Sequence, residues 1–150
     1  MEQLESLMKT TLANHFAFYI KAQNFHWNVL GADFKQYHSL FGDIYEEVHS
    51  AIDTLAEEIR ALGVLVDAGL SVFAANSSIA DETDVLNLSK SPMSMVNILL
   101  TDISKIENDL LAAYDEAEAF GNHGLSNILA ERQDAFRKHA WMLRATLGRA

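Results

Sequence analysis

The stretch His49-Ser50-Ala51-Ile52-Asp53-Thr54-Leu55-Ala56-Glu57 sets a histidine, an aspartate and a glutamate at steps of four residues. On a helix that spacing puts all three on one face, where imidazole nitrogens and carboxylate oxygens are possible metal ligands. Two further histidines precede them, His26 beside the bulky Trp27 and His38 twelve residues later. One histidine there reads as an ordinary hydrogen-bonded residue. Two of them, followed by an acidic pair on one helix face, are less easily dismissed, with a solvated polar face as the alternative reading. The chain has no cysteine, which excludes disulfides, thiolate metal sites and cysteine nucleophiles together.

The elements that must position these groups are helices. The first spans about Glu2 to Val29, with Leu4, Met8, Leu12, Phe16 and Tyr19 at helical spacing. Gly31 interrupts it, and a second helix runs from about Lys35 to Leu62, ending at Gly63. A third opens with Ser91 as N-cap and Pro92 at the first position, and carries Leu99, Ile103, Ile106, Leu110, Ala113, Ala117 and Phe120 to a stop at Gly121 and Gly124. A fourth takes Leu125, Ile128, Leu129, Phe136, Leu143 and Leu147 towards the C-terminus. Short links make helices one and two, and three and four, antiparallel neighbours. Between the second and third lie Val64 to Ser91, where "AGLSVFAAN" suits a short extra helix and "SSIADETDVLNLS" a polar surface loop. With no strand alternation, no internal repeat and no linker, residues 1–150 read as one all-α domain, a ferritin-like four-helix bundle with a long central crossover.

The direction of the ligand band decides how it can work. With Val48 as origin, Ile52, Leu55, Ile59 and Leu62 lie within about 40° and form the core stripe. His38, His49, Asp53 and Glu57 fall at about 80°, 100°, 140° and 180°, so they point away from their own bundle. His38 and Asp53 are also 15 residues apart, or about 22 Å of straight helix, against metal–ligand bonds of about 2 Å. One chain cannot close such a site. Two copies of the second helix, antiparallel about a two-fold axis near residues 45 and 46, would bring His38 of each to Asp53 of the other.

The segment "FHWNVLGADFKQYHSLFGDIYEEVHSAIDTLAEEIRALG" resembles the Dps family, the ferritin-like proteins from starved cells. The resemblance rests on the HW pair, the second histidine twelve residues on, and the D-x-x-x-E pair of "DTLAE". It implies a hollow shell of twelve subunits that oxidises Fe(II), preferably with hydrogen peroxide, and stores the ferric product inside. It also implies a di-iron site between subunits, with His26 and His38 from one chain and Asp53 and Glu57 from its partner, Glu57 able to bridge two irons. Such ligands suit Fe(II), and affinity order also admits zinc. Trp27 would stand beside the site, either passing an electron or intercepting a radical, or simply packing the helix end. Where many members carry an aspartate four residues after the second histidine, this chain has Gly42. His49 of the opposite chain would face that gap, as an additional ligand, a residue holding a ligand, or a plain interface hydrogen bond. Glu131 and Asp134 are candidates for an acidic entry pore, or plain surface residues.

Two rival readings stay open. An intra-bundle di-iron site of the ferritin or bacterioferritin kind needs Glu-x-x-His motifs on two helices. Glu46-Glu47-Val48-His49 supplies one, on the outward band, but Phe136 stands three residues before His139. The other rival is a metal-free structural bundle that dimerises through its second helix. Lys and Arg number 11 against 21 Asp and Glu, a formal charge of −10, and neither MEQLESL nor LGRA is a basic tail. DNA binding is therefore not expected. The opening residues lack a signal-peptide pattern and no apolar run suffices to span a bilayer, which points to a cytoplasmic, soluble protein.

Overall fold

The computed structural model describes residues 1–150. Its helices are α1 (Glu2–Asn28), α2 (Phe34–Ala61), α3 (Leu70–Asn76), α4 (Val85–Leu88), α5 (Pro92–Ala119) and α6 (His123–Thr146), with no strand. The four long ones are the expected bundle. Tyr19 lies against Tyr45 and Phe25 against Phe41, pairings that require α1 and α2 to run in opposite directions. Lys21 with Asp102 and Asn14 with Asp109 give the same crossed order for α1 and α5. Gly63 and Gly121 both adopt positive φ, +86° and +69°, the left-handed backbone that ends a helix and favours glycine.

Burial follows the sequence stripes. Val48, Leu55 and Ile59 are fully buried on α2, while Ile52 and Leu62 pack at the margin of the same cluster. Phe18 of α1 meets Phe136 of α6 edge-on at 5.4 Å, so three helices share the aromatic centre with Phe25 and Phe41. Lys21 and Asp102 form a buried ion pair 2.5 Å apart, with side chains only 5% and 6% exposed. Each charge is tolerable there only because the other is present.

One boundary and two local details differ from the sequence reading, while Ser91 and Pro92 open α5 as expected. Gly124 does not end a helix; it lies in the first turn of α6, where the Asn122 side chain accepts from the Leu125 N–H at 3.2 Å. Ser91 is the N-cap residue of α5, but its hydroxyl bonds to Ser94 Oγ rather than to a backbone N–H. The expected polar loop after α3 is partly built in. Ile79 is buried, Val85–Leu88 forms the single turn α4, and Ser77 and Ser78 both donate to Asn14 Oδ1. That oxygen takes three hydrogen bonds, while the Asn14 amide donates to Asp109, which also accepts from Ser78.

Glu47 has a role that the sequence reading did not assign. Unlike Glu46 and His49 on the outward band, it turns into the bundle, where its carboxylate accepts from both guanidinium NH groups of Arg132 and from the Nε2–H of His139. Arg132 Nε also donates to His15 Nε2 at 3.1 Å, and His15 Nδ1 donates to the Thr11 carbonyl at 2.8 Å. Burial first, and the Arg132 charge second, lower the His15 pKa from 6.5 to about 3, so the ring stays neutral. Burial pushes Glu47 upward, but hydrogen bonds from His139 and Arg132, and the Arg132 charge, outweigh it and bring its pKa from 4.5 to about 2.

Both groups have folded-state pKa values below their unfolded ones, so the unfolded chain takes up protons that the folded chain refuses. Stability is therefore complete above pH 6.5, where His15 starts to protonate in the unfolded chain, and falls as pH drops towards 3. Each pH unit over which one such proton is taken up removes about 1.4 kcal/mol. Urea midpoints should hold level from pH 7.5 to about 6.5 and then decline towards pH 4, and His15→Asn should flatten the limb between pH 6.5 and 4.5. An unchanged slope in that variant would contradict this account of the network.

Candidate metal centre

The last turn of α1 and the first turns of α2 meet at a sharp link. Gly31 there has φ +127°, and the Leu30 N–H is tied to the Ser89 carbonyl at 2.7 Å. This geometry brings His26 and His38 ring to ring, with centroids 3.7 Å apart and planes 20° from parallel. His26 Nδ1 lies 2.6 Å from the His38 carbonyl oxygen, and His38 Nδ1 lies 2.7 Å from the His26 carbonyl oxygen. A carbonyl oxygen only accepts, so both Nδ1 atoms carry the hydrogen. In a neutral imidazole that leaves the lone pair on Nε2, which makes no hydrogen bond within the chain. A metal-binding histidine needs that arrangement: one nitrogen fixed by a backbone acceptor, the other free to donate a lone pair.

Neighbouring rings hold the pair. Phe34 stacks on His38 at 4.9 Å, and Tyr45 meets His26 edge-on at 5.2 Å. Gly42, one turn after His38, lies directly under the His26 ring. A Cβ at that position would stand 3.0 Å from His26 Nδ1 and 3.1 Å from its Cε1. The room over Gly42 is thus filled from within the chain, by His26, rather than left vacant. Trp27, next to the pair, is 67% exposed.

Further along α2 the remaining candidates are exposed: His49, whose ring packs 4.8 Å from that of Tyr19, then Asp53 and Glu57. Nothing of this chain lies near enough to Asp53 and Glu57 to bond them. No group of three or more histidine, aspartate or glutamate side chains is gathered within one chain. The structure thus brings His26 and His38 together and leaves the two carboxylates apart from them, on the same helix face. Asp134 pairs with Lys138 at 3.0 Å on the surface, and Glu131 is exposed and unpaired.

The interior cluster of Glu47, His139 and His15 is the set that the sequence reading missed. Its members lie on three helices, so no local spacing reveals them. The wheel did hold one signal: with Val48 as origin, Glu47 sits about 100° away on the side opposite His49. Arg132 already supplies the cation there, and Glu47 is the only carboxylate, which leaves no donor set for a metal ion. His139 Nδ1 is buried without a partner.

The family description of a ferritin-like domain matches residues 5–150. Over 141 residues the chain is 32% identical to the DNA protection during starvation protein of Brevibacillus brevis, covering 94% of this chain and 92% of that one. This chain is a ferritin-like protein of the Dps family. The crystal structure of a Dps protein from Bacillus brevis superposes with a TM-score of 0.89 at 31% identity, covering 97% and 95% of the two chains. A Dps protein from Vibrio cholerae, described as a member of a broad superfamily of ferritin-like diiron-carboxylate proteins, gives a TM-score of 0.90 at 27% identity, with 97% and 89% covered. The all-helical Dps architecture is therefore the setting in which these histidines and carboxylates must be read. Iron storage and protection fit that family, and no helix of the chain is long and apolar enough to cross a membrane.

Proposed function

We propose that this Dps protein is a ferroxidase that oxidises Fe(II) with hydrogen peroxide, or with oxygen, and stores the ferric product inside a shell of twelve subunits. The observation that carries the reading is the pair of histidines whose Nδ1 atoms are locked on backbone carbonyls, beside a helix face on which Asp53 and Glu57 stand exposed and unbonded. His26 and His38 of one subunit bind Fe(II) through Nε2, and Asp53 and Glu57 of the neighbour neutralise its charge. Glu57 offers two oxygens, enough to contact two ions. Zinc, which accepts the same donors, competes for the position.

Iron is the substrate here. Two Fe(II) ions give one electron each to one peroxide, which with two protons becomes two waters and leaves two Fe(III). Paired oxidation releases no hydroxyl radical. The exposed Trp27 indole stands where a stray oxidising equivalent would first meet protein. His49 acts from the neighbouring chain, as a further ligand or by holding one. Glu131 and Asp134 are weaker candidates for a cation entry route, the latter already paired with Lys138.

A shared site has a distinctive genetic signature. His38→Ala and Asp53→Ala should each abolish rapid peroxide-dependent Fe(II) oxidation. Co-assembled in equal amounts from unfolded subunits, the two variants should regain about a quarter of the sites, because each mixed dimer keeps one intact half-pair. No recovery would place the ligands within single chains. His49→Ala should weaken Fe(II) binding and slow oxidation, and unchanged titrations would remove it from the site. With a formal charge of −10 per chain, twelve copies carry about twelve times that, which repels phosphate. Purified shells should leave duplex DNA unshifted in a gel at about 150 mM salt, and a retarded band would overturn that expectation.

A further inference from the structure

We propose that Arg132 decides where this chain can hold a metal ion: its guanidinium occupies a ligand set inside the bundle and keeps metal out of it. The donors concerned are His15, Glu47 and His139, so the inference stands apart from the shared surface site. His15 is built like the surface pair. Its Nδ1 donates to the Thr11 carbonyl at 2.8 Å, which leaves the lone pair on Nε2. That nitrogen faces a positive charge, Arg132 Nε at 3.1 Å. The Glu47 carboxylate receives the same guanidinium on both oxygens, and its Oε2 also lies 2.7 Å from His139 Nε2. A cation thus stands between an imidazole lone pair and a carboxylate, with a second imidazole touching that carboxylate.

His139 can join such a set. Its Nδ1 is buried without a partner, so no neighbour fixes which ring nitrogen carries the hydrogen. When a metal draws the carboxylate, that hydrogen moves to Nδ1 and Nε2 becomes a donor. Two imidazoles and one carboxylate are a donor set that Fe(II), Co(II) and Zn(II) accept. With the guanidinium in place, those groups answer to Arg132 and gather no site of their own.

The cluster is not sealed from solvent. The Glu47 side chain is 35% exposed, against 10% for Arg132 and 6% for His139, so an ion has an approach to the carboxylate. Arg132 belongs to the same fold and competes with free ions at a high effective concentration. Metal bonds of about 2 Å are about 1 Å shorter than the contacts to the guanidinium, and an ion can draw the donors inward only where that group is gone. A purely structural ion pair predicts something else: losing one partner leaves the other uncompensated, and stability falls with nothing gained.

The test uses assembled protein carrying His38→Ala and Asp53→Ala, which silences the surface pair, with Co(II) and Zn(II) as probe ions. Adding Arg132→Ala should create one Co(II) site per chain, read from the visible absorption of the bound ion. Arg132→Leu, which keeps apolar bulk beside the Phe136 ring, should behave alike. Without metal both variants should melt at a lower Tm than the background, and Zn(II) should restore Tm progressively as its concentration rises. Adding Glu47→Gln or His15→Asn to Arg132→Ala should weaken Zn(II) binding by about tenfold or more. No Co(II) uptake in either variant, undiminished uptake after Glu47→Gln, or failure of both variants to fold with Zn(II) present would each overturn the proposal. Co(II) held by the background before Arg132 is changed would count against the surface ligands instead, and the further gain on changing Arg132 would still decide this one.

Discussion

Two imidazoles that each donate a hydrogen bond to the other's backbone carbonyl form the joint on which the proposed metal chemistry depends. The bonds span the link between α1 and α2, so a single arrangement fastens two helix ends and fixes two tautomers. Side-chain freedom that ligand binding would otherwise have to remove has already been removed in folding. The same bonds explain why the histidines are separated by twelve residues. His26 belongs to the last turn of one helix and His38 to the first turns of the next, and the reciprocal pattern needs each ring to reach the other's backbone.

The chain contains two clusters of imidazole and carboxylate, and one charge separates their fates. In the interior, Arg132 forks onto Glu47 and donates to His15, so the polar groups are spent on a resident cation. At the surface no arginine or lysine intrudes on His26 and His38, and their Nε2 atoms stay open. A ferritin-like bundle can hold its ligands inside one chain or between chains. Here the guanidinium fills the interior option, and the straightness of α2 forbids the intra-chain surface option. What remains is the arrangement proposed above, a site divided between copies.

Much of this was legible because it is local. Gly63 and Gly121 fall where a left-handed residue ends a helix, Pro92 where a helix starts, and the Val48, Leu55 and Ile59 stripe where a core lies. The outward bearing of His49, Asp53 and Glu57 followed from the same wheel. Glu47 was given no role, although its place about 100° from Val48, on the side opposite His49, sets it apart from the outward band. Its partners Arg132 and His139 lie 85 and 92 residues away, and no local pattern encodes them. Gly42 could be seen as a gap but not as an occupied one, since the occupant comes from another helix. The turn α4 and the buried Ile79 were hidden among polar neighbours for the same reason.

The crossover between α2 and α5 is the longest stretch without a long helix of its own, yet Asn14 of α1 holds much of it in place. That one amide receives Ser77 and Ser78 and reaches Asp109, joining three separate parts of the chain. Tolerance to substitution will therefore be distributed unevenly. Exposed positions along the crossover can vary freely, while its conformation answers to a residue more than sixty positions upstream. A survey of variants confined to the crossover would miss the side chain that governs it.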